Sequence, residues 1–209
     1  MRISDVVKVA GAISALACAL PAQASFLNGT SSGLASPSVT NQFTTPSLAA
    51  DTMVTNQFAG VTFSPNLYYD PQDASSYGIP GAGLANFTSS TEPAFINPVT
   101  ISFASPVDGA AFQMAADVTP FSFVAYNGST VVDSGASTVS YSSTSLFYGF
   151  TDQLTSIVIT QTGAGAGPYY VLGNLQEGGS VPEPGAAALA LAGLGLLGMA
   201  LMLRRRRAV

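Results

Sequence analysis

Through the middle of the chain, apolar and polar residues alternate in short runs broken by Gly, Pro, Asp or Ser, while each end carries an unbroken apolar stretch. A period of two places successive side chains on opposite faces of a strand. In Pro98-Val-Thr-Ile-Ser-Phe103, Val99, Ile101 and Phe103 are separated by Thr100 and Ser102, which predicts a half-buried strand. Two more runs, 121–126 and 129–133, flank Asn127-Gly128. An Asn-Gly pair between such runs predicts a hairpin closed by a type I′ turn, whose two central residues both need positive φ. Further strands are expected at 60–64, 111–115, 145–150, 154–160 and 169–176. Roughly eight short strands, rich in Thr, Val, Phe and Tyr and with almost no helical periodicity, predict an all-β fold. The expected architecture is an antiparallel β-sandwich of jelly-roll or lectin-like kind.

The ends follow a different pattern. Arg2 and Lys8 lead into the apolar run 9–20, followed by Pro21 and Ala22-Gln23-Ala24. Charge, apolar run and small residues in that order make a secretory signal peptide cleaved after Ala24, so that the exported chain begins at Ser25. Cys18 offers an alternative lipoprotein reading, but Ala15 stands where an aliphatic residue is expected. At the other end Val181-Pro182-Glu183-Pro184 precedes an apolar segment, 185–203, and then Arg204, Arg205, Arg206 and Arg207. About nineteen residues at roughly 1.5 Å each span about 28 Å, enough for a transmembrane helix. The four arginines would stop the segment and hold its end in the cytoplasm, leaving the preceding domain outside. The expected organisation is a signal peptide at 1–24, an N-terminal extension or first strands at 25–54 and the β-sandwich at 55–177. A linker follows at 178–184, then the transmembrane helix at 185–203 and a basic tail at 204–209.

Val181-Pro182-Glu183-Pro184, the short Ala/Gly/Leu helix and the terminal arginines resemble the PEP-CTERM sorting signal of Gram-negative bacteria. The resemblance implies processing near Pro182-Glu183-Pro184 by an exosortase, a membrane sorting enzyme resembling cysteine proteases. It also implies transient residence in the inner membrane and release to the cell surface or an exopolysaccharide matrix. The prolines suit this, because Pro182 and Pro184 keep the backbone extended and open to a protease. A permanent single-span anchor with a proline stalk is the plain alternative. Residues 55–64, 103–107 and 150–152 with Ile157 resemble a β-sandwich domain common in PEP-CTERM proteins, which implies fold rather than function.

Composition narrows the chemistry. Removing both end segments leaves about 155 residues, the size of one domain with one core. Nothing from Val9 to Leu203 is Lys or Arg, while Asp51, Asp70, Asp73, Glu92, Asp108, Asp117, Asp133, Asp152 and Glu177 lie within the domain. Binding to nucleic acid is excluded as a function class, because phosphate contacts come from Lys and Arg. The domain also lacks His, Trp and Cys. Ser-His and Cys-His nucleophiles, thiolate or imidazole zinc sites, Schiff-base lysines and a P-loop are therefore absent. Gly163-Ala-Gly-Ala-Gly167 has no following Lys and reads as a loop. No cofactor is required; Ca²⁺ is the natural candidate for an acidic domain, because it takes carboxylate and carbonyl oxygens.

The cluster that most resembles a binding site is Tyr68-Tyr69-Asp70-Pro71-Gln72-Asp73 with Tyr77. Asp70 and Asp73 could share a Ca²⁺, and Tyr68, Tyr69 and Tyr77 could stack on sugar rings. The plainer reading is a solvated loop whose aspartates set turns, as for Asp108, Asp117 and Asp152. The leading expectation is a non-enzymatic surface or matrix protein, structural or associated with exopolysaccharide. A secreted carbohydrate-active hydrolase using two carboxylates is the alternative, with Glu92 as the only Glu well inside the domain. A third reading, an adhesin making homotypic contacts, depends on exposed strand edges.

Overall fold

A computed structural model of the chain describes residues 25–88, 95–141, 145–163 and 169–178. The signal peptide, the Pro-Glu-Pro motif, the apolar segment 185–203, the arginine tail, Glu92 and most of the Gly-rich run at 163–167 lie outside those residues. Among the described residues no helix is long and apolar enough to cross a membrane.

The described residues form thirteen strands in two antiparallel sheets. In spatial order the larger contains β1 (Phe26–Thr30), β11 (Leu146–Phe150), β8 (Ala110–Ala116), β13 (Tyr170–Glu177), β6 (Gly83–Ala85), β5 (Leu67–Asp70) and β3 (Met53–Val54). β2 (Val39–Asn41) pairs with the last residues of β13. The smaller runs β10 (Thr130–Val139), β9 (Thr119–Asn127), β12 (Leu154–Gln161), β7 (Val99–Val107) and β4 (Val61–Ser64). The all-β sandwich expected from the alternation is the fold observed, and 25–54 supplies β1, β2 and β3 to the larger sheet.

Period-two alternation does the work in the smaller sheet. Val99, Ile101 and Phe103 of β7, Phe121, Phe123 and Ala125 of β9, and Leu154, Ile157 and Ile159 of β12 all turn inward and are buried. They meet Phe112, Met114, Tyr148, Phe150 and Leu172 from the larger sheet in one continuous cluster. Phe123 is at its centre, stacked on Tyr148 at 5.4 Å with 5° between the rings, and 5.5 Å from Phe26 and 6.2 Å from Phe112. Phe26 reaches inward over Gly135 of β10, where any Cβ would collide with its ring.

The larger sheet is built differently. Every residue of β8 and of β13 is buried, so both faces of these strands are covered. On the outer face Leu34, Ala111 and Phe147 form one small cluster with Leu27. Ala74, Ile79, Ala115 and Val171 form another with Tyr77, which brings in a short helix, α1 (Pro71–Ser76). The helix was not expected; its sequence signal is Asp70 at the N-cap with Pro71 in the first turn.

The hairpin between β9 and β10 is present one residue on from its expected place. Asn127 ends β9 opposite Thr130, so the loop is Gly128-Ser129, and only Gly128 has positive φ, at 61°. Glycine at the first central position is the type II′ pattern, not type I′. Register also fixes where the chain enters and leaves. Phe26 pairs with Phe150, Phe150 with Ala110, and Ala110 with Glu177. The start of β1 and the end of β13 therefore lie at the same end of the larger sheet, three strand spacings or about 14 Å apart.

Tyr170 is fully buried, packs edge-on to Phe121 at 5.8 Å, and has a hydroxyl with no hydrogen-bond partner. An unsatisfied buried hydroxyl costs about 1–3 kcal/mol, so Tyr170→Phe is expected to leave the melting temperature unchanged or raise it. Loss of more than about 1 kcal/mol in denaturant unfolding would show that the hydroxyl is satisfied after all.

Candidate functional site

The Tyr-Asp cluster singled out in the sequence is divided between a strand, a helix cap and the core. β5 carries Tyr68 and Tyr69 on opposite faces. Tyr69 is buried and stacks on Phe58 at 6.5 Å, so its ring belongs to the core and offers no face to a ligand. Tyr68 is half-buried, between its partners Met53 and Ala85. Asp70 accepts the backbone N–H groups of Gln72 at 3.1 Å and Asp73 at 3.0 Å through Oδ1, which caps α1. This is the turn-setting role of the plainer reading.

Asp73 occupies the first turn of the same helix. Burial, and then the neighbouring Asp70 charge, raise its carboxyl above the ordinary aspartate range. The two acids are thus close enough to feel each other. One of them already spends an oxygen on the helix, and no group of three or more acids gathers among the described residues. Ca²⁺ takes six to eight oxygens, so Asp70 and Asp73 fall short of a cage made from carboxylates alone.

Tyr77 has a different setting. It closes the C-terminus of α1, its carbonyl accepts the Ser145 N–H at 3.1 Å, and its ring stacks on Tyr141 at 4.7 Å with 23° between planes. Tyr141 is 39% exposed. Burial, then the Asp117 charge, lift the Tyr141 hydroxyl well above its usual range. Tyr77 is raised in turn by burial and then by Asp73. The helix, the β8–β9 connection and the chain ahead of β11 thus converge on two stacked aromatic rings flanked by Asp73 and Asp117. Nothing in the local sequence pairs Tyr77 with Tyr141; only the sheet order brings them together.

Behind this corner lies a buried polar chain that the sequence reading did not identify. The Asn174 side-chain amide donates to Gln113 Oε1 at 2.8 Å, and Gln113 Nε2 donates to the Ser145 carbonyl at 3.1 Å. Asn174 adopts φ 47° beside the bulge that interrupts β13 between Gly173 and Gln176. Its only sequence signal is Gln113 inside the apolar run Ala110-Ala-Phe-Gln-Met-Ala-Ala116. Elsewhere Asp152 accepts the Gln153 N–H at 2.7 Å, a turn role.

The tail matches a known family: residues 180–207 carry the PEP-CTERM protein-sorting motif. The chain therefore bears the sorting signal of an exosortase substrate, which implies export and a C-terminal segment directed to the membrane. No curated protein matches the chain. Among solved structures, it is similar to CBM32 of AlyQ in complex with 4,5-unsaturated mannuronic acid, at 15% identity and TM-score 0.33 over 60% of this chain and 97% of that one. It is also similar to a mutant of CBM29-2 complexed with cellulohexaose, at 12% identity and TM-score 0.29 over 76% and 94% of the two chains.

Asp73 and Glu177 are both raised, Asp73 by burial and by Asp70, Glu177 by burial. The folded state then holds protons more tightly than the unfolded one, so stability is greatest below the unfolded values of 3.8 and 4.5 and declines as pH rises through the higher folded values. Thermal melts are expected to give a higher midpoint near pH 5 than near pH 8, and Asp73→Asn with Glu177→Gln should flatten the difference. A midpoint that rises with pH in the native chain would contradict this assignment.

Proposed function

We propose that this is an exported surface or matrix protein that associates with glycan without catalysing a reaction. Its sandwich is the cargo of the PEP-CTERM tail. The observation that carries the reading is the sorting motif at 180–207 placed directly behind a folded unit. That unit begins with Phe26, one residue after the expected signal cleavage point, and its last strand ends at Glu177. Processing at both ends would therefore release the sandwich without cutting into a strand.

The glycan part of the reading is supported by the Tyr77–Tyr141 stack. Aromatic faces take the C–H side of a sugar ring, and flanking carboxylates accept its hydroxyls. Divalent cations enter as bridges, because an anionic domain repels an acidic polysaccharide unless cations lie between them.

Mass spectrometry of protein recovered from host cells and medium tests the sorting claim. A chain starting at Ser25 and ending near Pro182 to Pro184 is expected, and replacing Pro182 and Pro184 with Ala should leave the uncut chain in membranes. Intact native chains ending at Val209 would mean a permanent anchor instead. For the glycan claim, Tyr141→Ala should retain the native melting temperature but bind host exopolysaccharide about tenfold more weakly, the scale of one lost aromatic contact. Chelation of divalent cations should reduce retention of the native protein on an acidic polysaccharide. Unchanged binding by Tyr141→Ala would move the contact away from this corner.

A further inference from the structure

Edges are where a sandwich can be extended, and this one protects all but one of them. Among the described residues the larger sheet ends in β1, β2 and β3, of five, three and two residues. On the far side of the smaller sheet β4 has four residues and is followed by Pro65. The remaining edge is β10, ten residues long, Thr130-Val-Val-Asp-Ser-Gly-Ala-Ser-Thr-Val139, with one charge and no proline. Short strands, charges and prolines are the usual guards of an edge.

The ladder shows which backbone groups β10 turns outward. Pro120 of β9 stands opposite Thr138, and its carbonyl accepts the Thr162 N–H, on the β12 side. A strand residue sends its N and its C=O to the same side, so Pro120 faces away from β10, and its opposite residue Thr138 faces away from β9. Alternation then turns Ser134 and Ala136 outward as well. An independent contact agrees: the Ser134 N–H is taken by the Asp133 carboxylate at 2.7 Å. Among the described residues β10 pairs with β9 alone, and the bulge between Val131 and Asp133 bends only its first part. Asp133 thus guards one outward donor, leaving the N–H groups of Ala136 and Thr138 and the carbonyls of all three residues along the edge.

We propose that β10 is a self-pairing edge, joined antiparallel to β10 of a second copy about Ala136 and restrained by Asp133. A second copy fits because the arrangement is self-complementary. Ala136 meets its own equivalent, Ser134 meets Thr138, and each Asp133 falls opposite Val139, so no carboxylate faces another. The outward-facing side chains on the exposed surface are the small Ser134, Ala136 and Thr138, which let two edges approach. Displacing Asp133 from the Ser134 N–H completes the ladder, which makes this residue a brake on association and not a component of the fold.

In a narrow antiparallel pair bonded through both residues, equivalent Cα atoms lie about 5.5 Å apart, within disulfide reach. With Cys18→Ser as background, mild oxidation of the full chain in detergent should convert Ala136→Cys into a covalent dimer. Met53→Cys, exposed on β3 at the far end of the other sheet, should remain monomeric. In sedimentation, Asp133→Ala should tighten the dimer about tenfold through the freed donor and lost charge. Ala136→Pro should abolish it while keeping the native melting temperature, because β9 does not use the Ala136 N–H. Equal cross-linking of Ala136→Cys and Met53→Cys would overturn the proposal. Capture of a different polypeptide by Ala136→Cys in host extracts, in place of a second copy, would overturn the choice of partner.

Discussion

The packing of one sheet's phenylalanines against the other's is the interaction on which the rest depends. From Ser25 to Gly178 there is no Lys, Arg, His or Cys, so neither a side-chain ion pair nor a disulfide can join the sheets. Apolar burial therefore carries the fold, with the cluster around Phe123 drawing on both sheets and on Phe26 of the first strand. Burying β8 and β13 on both faces extends the same solution, because a central strand covered twice withdraws more apolar area from water than one covered once. The helix α1 and the segment around Leu34 exist in this sense to complete the second covering.

That double covering marks the limit of what the sequence discloses. Strands with one wet face, such as the 99–103 half of β7, display alternating chemistry and are legible residue by residue. Ala110–Ala116 is legible as a strand because its run is apolar, but its pattern does not say which segment lies over its outer face. The short strands β2, β3, β5 and β6, of two to four residues, hold too few positions for a period to show. The displaced hairpin has a simple cause. Asn127 tolerates positive φ but does not require it, so pairing with Thr130 decided the turn and left Gly128 as the sole left-handed residue.

The candidate site was legible in part for a related reason. Tyr77 and Asp73 were visible as chemistry close together in the chain, whereas Tyr141 and Asp117 reach them only through the order of strands. Adjacent residues on a strand face opposite ways, so Tyr68 and Tyr69 could not form one platform. The fold instead makes its aromatic pair from residues distant in sequence. Absence of internal cations also shapes this corner: with no guanidinium or ammonium to offset them, burial first and then the Asp117 charge raise the Tyr141 hydroxyl above its usual range.

The alignment of the first and last strands at one end of the larger sheet has a mechanical consequence. A load applied between the two chain ends pulls on β1 and β13 from the same side, so hydrogen bonds along β1 are loaded one after another and not all at once. Peeling of this kind needs less force than sliding strands past each other over their full length. Strand β13 is held between β8 on one side and β6 with β2 on the other, while β1 is held by β11 alone. The five-residue β1 is therefore the first element to yield, and Phe26 would leave the core with it, exposing Phe123 and Phe150 before the rest of the sandwich opens.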